Sequence, residues 1–242
     1  MKSKERLIVA LDVDDPTWAL ELVNWLANEV GMFKVGKQLF TRGGPDLIRS
    51  ILKQKPVFLD LKFHDIPNTV VKASLEAMRL GVSMFNVHAS GGKEMMSASS
   101  AALLKEALEC NKQAPLALAV TMLTSLDHKK LEEVGLVPAP DVVVKMALAA
   151  QECGMGGVVC SPLEVREVRQ ACNSGFMVVT AGIRPSGSAK NDQERVGTPG
   201  MAIENGANYL VVGRPIIEAD DPVAAAQNIV EEISFALDKT GR

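Results

Sequence analysis

Short apolar runs alternate with longer segments of helical period from one end of the chain to the other. "RLIVALD" (6–12) predicts a strand, and "PTWALELVNWLANEV" (16–30) predicts a helix with Pro in its first turn. The pattern then repeats. "MFKVG" (32–36) precedes a helix at 38–54, "VFLDLKF" (57–63) one at 67–80, and "SMFNVHAS" (83–90) one at 92–109. "PLALAVTML" (115–123) precedes helical stretches at 127–134 and 140–153, and "GGVVCS" (156–161) precedes 162–172. "FMVVTAGI" (176–183) leads through a loop to 198–205, and "NYLVVGR" (208–214) leads to 222–238. Strands this apolar, each followed by a helix, imply a parallel sheet covered by helices. Eight such units in 242 residues fit a single α/β domain, a closed (β/α)8 TIM barrel spanning 1–242. A doubly wound open sheet is the runner-up.

Against that apolar pattern some charges stand out. Side chains alternate along a strand, so Phe58, Asp60 and Lys62 share one face of "VFLDLKF", and Val57, Leu59 and Leu61 share the other. The leucine face suits packing on helices, which directs Asp60 and Lys62 into the barrel near its C-terminal mouth. Asp12 ends the first strand on the face of Ile8 and Ala10; Lys34 lies between Phe33 and Val35; Asp65 follows in the third loop. Taken singly, Asp12 reads as readily as a helix cap, Lys34 as a solvated lysine, and Asp60 with Lys62 as a structural ion pair. Three consecutive strands that each place charge at the same end favour a shared site, because burying unpaired charge is costly. His64 and Asn68 read as turn or cap residues. His88 is open to either reading, facing the site or making a structural hydrogen bond.

A second group lies at the far end of the chain. Gly213 and Arg214 follow the eighth strand, where barrels of this type often bind phosphate. Glycine permits close backbone approach, and arginine offers a bidentate charged clamp. Arg184 and Gln193 lie in the preceding stretch "RPSGSAKNDQERVGTPG" (184–200), which has no predicted element. So long a loop after a strand is expected to be functional or disordered, and its place favours function.

Composition adds mainly exclusions. Net charge is -3 with no basic run, and aromatics are 4%, so no nucleic-acid partner is expected. Cys110, Cys153, Cys160 and Cys172 form no CxxC pair, and with His64, His88 and His128 show no zinc spacing. They read as reduced, buried thiols. The opening "MKSKERLIVALDVDD" lacks the long apolar core of a secretory signal, and no run reaches the length of a membrane span. A soluble, cytoplasmic protein without membrane contact is expected.

The residues singled out, with their neighbours, resemble the orotidine 5'-phosphate decarboxylase family in its compact bacterial form. The resemblance is carried by "LDVDD" (11–15), "FKVG" (33–36), "FLDLKFHDIPNTV" (58–70), "VTMLTS" (120–125), "TAGIRP" (180–185), Gln193 and "VVGRPI" (211–216), in order over nearly the whole chain. It implies loss of CO2 from orotidine 5'-monophosphate to give uridine 5'-monophosphate, the last step of de novo synthesis, without metal or organic cofactor. It implies an alternating network of Lys34, Asp60, Lys62 and Asp65, with Lys62 as proton donor to C6 and Asp60 beside the substrate carboxylate. Asp12 and Lys34 would contact the ribose, and Thr124 the pyrimidine. Arg184, Gln193, Gly213 and Arg214 would hold or approach the phosphate beneath a closing loop at 184–193. It also implies a homodimer in which Asp65 and Thr69 cross into the partner's site.

Two other readings are kept. A metal-dependent sugar-phosphate lyase or decarboxylase of the same barrel superfamily shares a D-x-K-x-x-D core, but the Ile-Pro-Asn-Thr continuation, Thr124 and the long loop argue against it. A non-catalytic nucleotide-binding barrel would need the phosphate residues but not Lys62.

Overall fold

Eight strands, each too apolar to leave either face in water, close on one another in chain order. They are β1 (Leu7–Ala10), β2 (Met32–Gly36), β3 (Val57–Phe63), β4 (Met84–His88), β5 (Leu116–Val120), β6 (Gly157–Cys160), β7 (Met177–Thr180) and β8 (Tyr209–Val212). All neighbours pair in parallel, and β1 pairs with both β2 (Ile8 with Met32) and β8 (Ile8 with Val211). The structure is a computed structural model, and it describes residues 1–123, 128–133, 141–185 and 196–241.

Helices α1 (Pro16–Leu26), α2 (Lys37–Leu52), α3 (Pro67–Leu80) and α4 (Gly92–Glu109) follow the first four strands. The remainder are α5 (His128–Glu133), α6 (Val142–Glu152), α7 (Val165–Ala171), α8 (Pro199–Asn205), α9 (Arg214–Ile217) and α10 (Pro222–Thr240). The expected (β/α)8 barrel is therefore the observed one, and the open sheet is excluded by the β1–β8 pairing. Local chemistry sets several helix starts. The side chains of Asp15 and Asp221 accept the backbone N–H of Thr17 at 3.0 Å and Ala224 at 2.9 Å, and each is followed by Pro. A capping carboxylate satisfies an otherwise orphaned donor, and Pro at the first position lacks one to satisfy.

The apolar residues divide into two cores. Outward-facing residues such as Val9, Phe33, Leu59 and Phe85 pack under the helices. A smaller inner cluster takes Ile8, Phe58, Leu118 and Val179, one from each odd-numbered strand, together with Met32, Met84 and Val211. Barrels of this class are filled by such sets from alternate strands, so the interior is a packed floor and not a pore.

Some expectations are corrected. The helix expected at 38–54 is kinked: Gly44 has φ 59° and ψ −163°, and Pro45 follows it. Glycine alone tolerates that backbone, and the proline ring cannot continue the preceding turn. The short α9 was not predicted. Cys110 is exposed and not buried; the other three cysteines are buried, and all four are free thiols. Among the described residues no helix is long and apolar enough to cross a membrane.

Candidate active site

The charged residues of the first three strands meet. Lys34 points inward from β2, two residues beyond Met32 of the inner floor. Its Nζ lies 2.9 Å from Asp12 Oδ1 and 3.2 Å from Asp60 Oδ2. Lys62 Nζ lies 2.6 Å from the other oxygen of Asp60, Oδ1. The order Asp12–Lys34–Asp60–Lys62 is thus a chain of alternating charge across three strand ends. Gly36 makes room beside it, since a Cβ there would lie 3.3 Å from Asp12 Oδ1 and 3.4 Å from Lys34 Nζ.

The projection of Lys62 depends on an irregularity in β3. Leu59 is opposite Phe85 of β4, whereas Phe63 is opposite Val87, so β3 spends two more residues than β4 over the same interval. Lys62 sits in that interval at φ 51°. A left-handed backbone is uncommon for a residue with a Cβ and costs roughly 1–3 kcal/mol. Its backbone N–H donates to the side-chain Oδ1 of Asn86 on β4 at 2.7 Å. The Asn86 amide nitrogen donates in turn to Asp60 Oδ1 at 2.6 Å.

Burial and charge oppose each other here. Burial alone pushes the Asp60 carboxyl up. The positive charges of Lys34 and Lys62, with hydrogen bonds from Lys62 and Asn86, outweigh it and hold the group down to about 2. Burial alone pulls Lys34 down, and the charges and hydrogen bonds of Asp60 and Asp12 outweigh it and raise the group above its ordinary value. The Asp12 side chain is 56% exposed, so solvent screens its share more than that of Asp60, which is 11% exposed. Both groups therefore stay ionised near neutral pH, which is how this much charge is tolerated inside a barrel.

Across the mouth lies the wall of β7 and β8. Arg184 is buried, and its Nη1 donates to the carbonyl of Ile183 at 2.8 Å. Ile183 bridges to Gly197, and the Arg184 N–H donates to the Gly197 carbonyl at 3.0 Å, so the two flanks of the segment between 185 and 196 are tied together. Gly213 precedes α9, and Arg214 begins it. The two walls enclose a cleft of about 540 Å³ lined by Asp12, Lys34, Asp60, Lys62, Arg184, Gly213 and Arg214. Lys37 and Glu218 also line it, which among the described residues makes five cationic side chains against three acidic ones. Such a lining suits a small polyanion.

Asp65 and Thr69 are not part of this cleft within the chain. Both are exposed. Asp65 Oδ1 accepts the Ile66 N–H at 2.7 Å, and Asp65 lines a separate hollow with His64, Ile66 and Gly91. Thr124 and Gln193 lie outside the described residues. The rings of His64 and His88 are 5.3 Å apart. His88 is held below the ordinary imidazole range by burial first and then by the charges of His64, Lys62 and Lys37. Among the described residues no group of three or more His, Cys, Asp or Glu side chains is placed to hold a metal ion. Sequence reading missed Asn86, Lys37 and Glu218. Asn86 had a usable signal: it alternates with Met84 and His88 and so faces the barrel interior.

The fold and this cleft define a (β/α)8-barrel protein with a charged, polyanion-ready site at the C-terminal mouth. The chain matches the Orotidine 5'-phosphate decarboxylase / HUMPS family over residues 5–229, and it belongs to that family. It is similar to the orotidine 5'-phosphate decarboxylase of Syntrophotalea carbinolica, with 51% identity over 241 residues and 99% of each chain covered. It is similar to the protein of the same name from Moorella thermoacetica, with 51% identity over 238 residues, 97% of this chain and 94% of that one. Among solved structures it resembles orotidine 5'-phosphate decarboxylase from Lactobacillus acidophilus, with TM-score 0.82, 37% identity, and 94% and 98% of the two chains covered.

Proposed function

We propose that the protein decarboxylates orotidine 5'-monophosphate to uridine 5'-monophosphate and CO2, with Lys62 as proton donor. The coarse assignment, a decarboxylase of pyrimidine biosynthesis, rests on family membership. The finer reading rests on one observation, the Asp12–Lys34–Asp60–Lys62 array in a cleft whose described lining is net positive.

The bond from C6 to the carboxylate breaks, CO2 leaves, and the electron pair stays on C6. A proton from the Lys62 ammonium forms the new C6–H bond, and the neutral amine regains a proton from solvent. The costly species is the carbanion-like C6, which no adjacent carbonyl stabilises well. A preorganised cation beside C6 lowers that cost throughout the step. Asp60 keeps the ammonium charged and aimed, and its carboxylate lies beside the leaving group. Lys34 and Asp12 face the ribose. Arg184 and Arg214, with Gly213 and Gln193, hold the phosphate, and Thr124 meets the ring. Phosphate binding raises the rate only if it organises the charged array, since the phosphate takes no part in bond breaking. No metal or organic cofactor enters the scheme.

The assembly we propose is a cytoplasmic homodimer of single-domain chains, with Asp65 and Thr69 each completing the partner's site. Their exposure outside the cleft, next to an Ile66 that is 67% exposed, supports that reading. The test follows the loss of orotidine 5'-monophosphate absorbance with wild type and Lys62→Ala, each with and without a chelator. Chelator-resistant turnover that falls at least about 10⁴-fold in the variant is expected. Folded wild type without turnover would sink the decarboxylase reading. Turnover of a sugar phosphate that the chelator abolishes would replace it with the metal-dependent alternative.

A further inference from the structure

Asn86 sits at the centre of the charged array without being charged. It is 1% exposed, on β4, and a buried amide is costly unless its polar atoms are satisfied. One orientation satisfies its two neighbours: the amide nitrogen toward the Asp60 carboxylate, which can only accept, and the oxygen toward the Lys62 N–H, which can only donate. An apolar residue would fill the same inward position, as Met84 does one step below, and would leave both neighbours without that partner.

We propose that Asn86 is a positioning residue for the decarboxylation, holding through one side chain both the acid and the base of the lysine–aspartate pair. Its oxygen accepts the Lys62 N–H where β3 slips past β4, and so supports the left-handed backbone from which Lys62 projects. Its nitrogen shares Asp60 Oδ1 with the Lys62 ammonium, which leaves Oδ2 for Lys34. With both oxygens engaged the carboxylate has no freedom to rotate, and Lys62 is aimed from its backbone and from its tip. Misplacement of a reacting group by about 1 Å can cost about 100-fold in rate.

The proposal rests on the decarboxylase reading, and the experiment separates the two. Turnover of orotidine 5'-monophosphate is measured from pH 5 to 8 for wild type, Asn86→Ala and Asn86→Asp, together with backbone amide exchange at Lys62 by NMR. Asn86→Ala is expected to lower kcat about 100-fold with KM changed less than about threefold, because positioning acts on the chemical step. Asn86→Asp puts a second carboxyl against Asp60. When it is protonated it can donate to Asp60 as the amide does; when ionised it repels. Its kcat is therefore expected to match Asn86→Ala at pH 8 and to recover at least about tenfold toward pH 5, relative to wild type. A structural plug has no such pH-dependent rescue. A pH-independent deficit in Asn86→Asp, or a loss confined to KM, would overturn the proposal. The exchange measurement does not need turnover. Slow exchange at Lys62 in wild type, and exchange at least about tenfold faster in Asn86→Ala after correction for global stability, supports the hold on the backbone. Equal rates overturn it. Wild type that is folded but inactive sinks the decarboxylase reading, while the exchange result still judges the hold of Asn86.

Discussion

The two ends of the barrel hold cavities of nearly the same size, one lined by charged side chains and the other, among the described residues, by none. The C-terminal mouth encloses about 540 Å³ among lysines, arginines and carboxylates. The N-terminal end encloses about 570 Å³ lined by the first inward residues of four strands, Met32, Met84, Leu116 and Tyr209, with uncharged neighbours such as Ser83, Ser100 and Gln113. The strands that build one end build the other. On β2 the inward side chain changes from Met32 to Lys34, and on β4 from Met84 to Asn86, within two residues or about 7 Å of rise. Volume does not distinguish a site from a gap; the chemistry of the inward residues does. β2 and β4 thus carry stability at their start and polar chemistry toward their end.

That contrast can be broken at either end. The largest effect belongs to the mouth. Lys62→Ala and Asp65→Ala should each be nearly inactive alone. If the sites are shared, an equal mixture after subunit exchange should regain about a quarter of wild-type activity, since half the dimers are hybrid and each has one intact site. Exchange demonstrated by mass spectrometry without recovered activity would place Asp65 in its own subunit's site. At the other end, Met84→Ala should lower the unfolding free energy by about 2–5 kcal/mol, the usual cost of emptying a buried methionine, with kcat within about twofold of wild type. A matching loss of kcat in undenatured enzyme would show that the two ends are not separable.

Smaller effects sharpen the electrostatic side. Asp60 is held down to about 2, below the ordinary 3.8. Its ionised form is thus preferred by the folded state, and the stability it adds is present above about pH 4 and lost as pH falls toward about 2. Urea titrations should show wild type losing stability across that window more steeply than Asp60→Asn; parallel curves would mean that the carboxylate is not held by its lysines. His88 shifts the same way from 6.5, so acidification through that value protonates the unfolded chain first and lowers stability. His88→Gln should lose less stability than wild type between about pH 7 and 5, and an unchanged slope would assign the acid sensitivity elsewhere.

The barrel and much of its mouth were legible because alternation survives where pairing does not. Asp60 and Lys62 were placed on one face by counting, and their contact holds even though β3 slips against β4 between Leu59 and Phe63. The slip itself was not legible. Both strands keep intact periodicity, and the left-handed turn at Lys62 leaves no mark in residue type, since no glycine announces it. Asn86 was passed over for a related reason: asparagine inside an apolar run carries its meaning in two partners from another strand. Six of the eight strands were expected to end one to three residues too far, as at Leu11, whose N–H still bonds to the Lys34 carbonyl at 3.0 Å after β1 has formally ended; β2 and β3 end where expected. The kink at Gly44 follows from the Gly-Gly-Pro run, which a helical moment over 38–54 averages away.

The closure of the barrel also has a consequence in time. Leu7 pairs with Leu210, so the first strand made waits for the last, roughly 200 residues later. At about 5–20 residues per second, synthesis leaves the outer edge of β1 without its native neighbour for roughly 10–40 seconds. During that interval a run of Leu, Ile, Val and Ala presents an unpaired apolar edge to the cell. The native ring has no edge to protect; the growing chain has one until its final strand emerges.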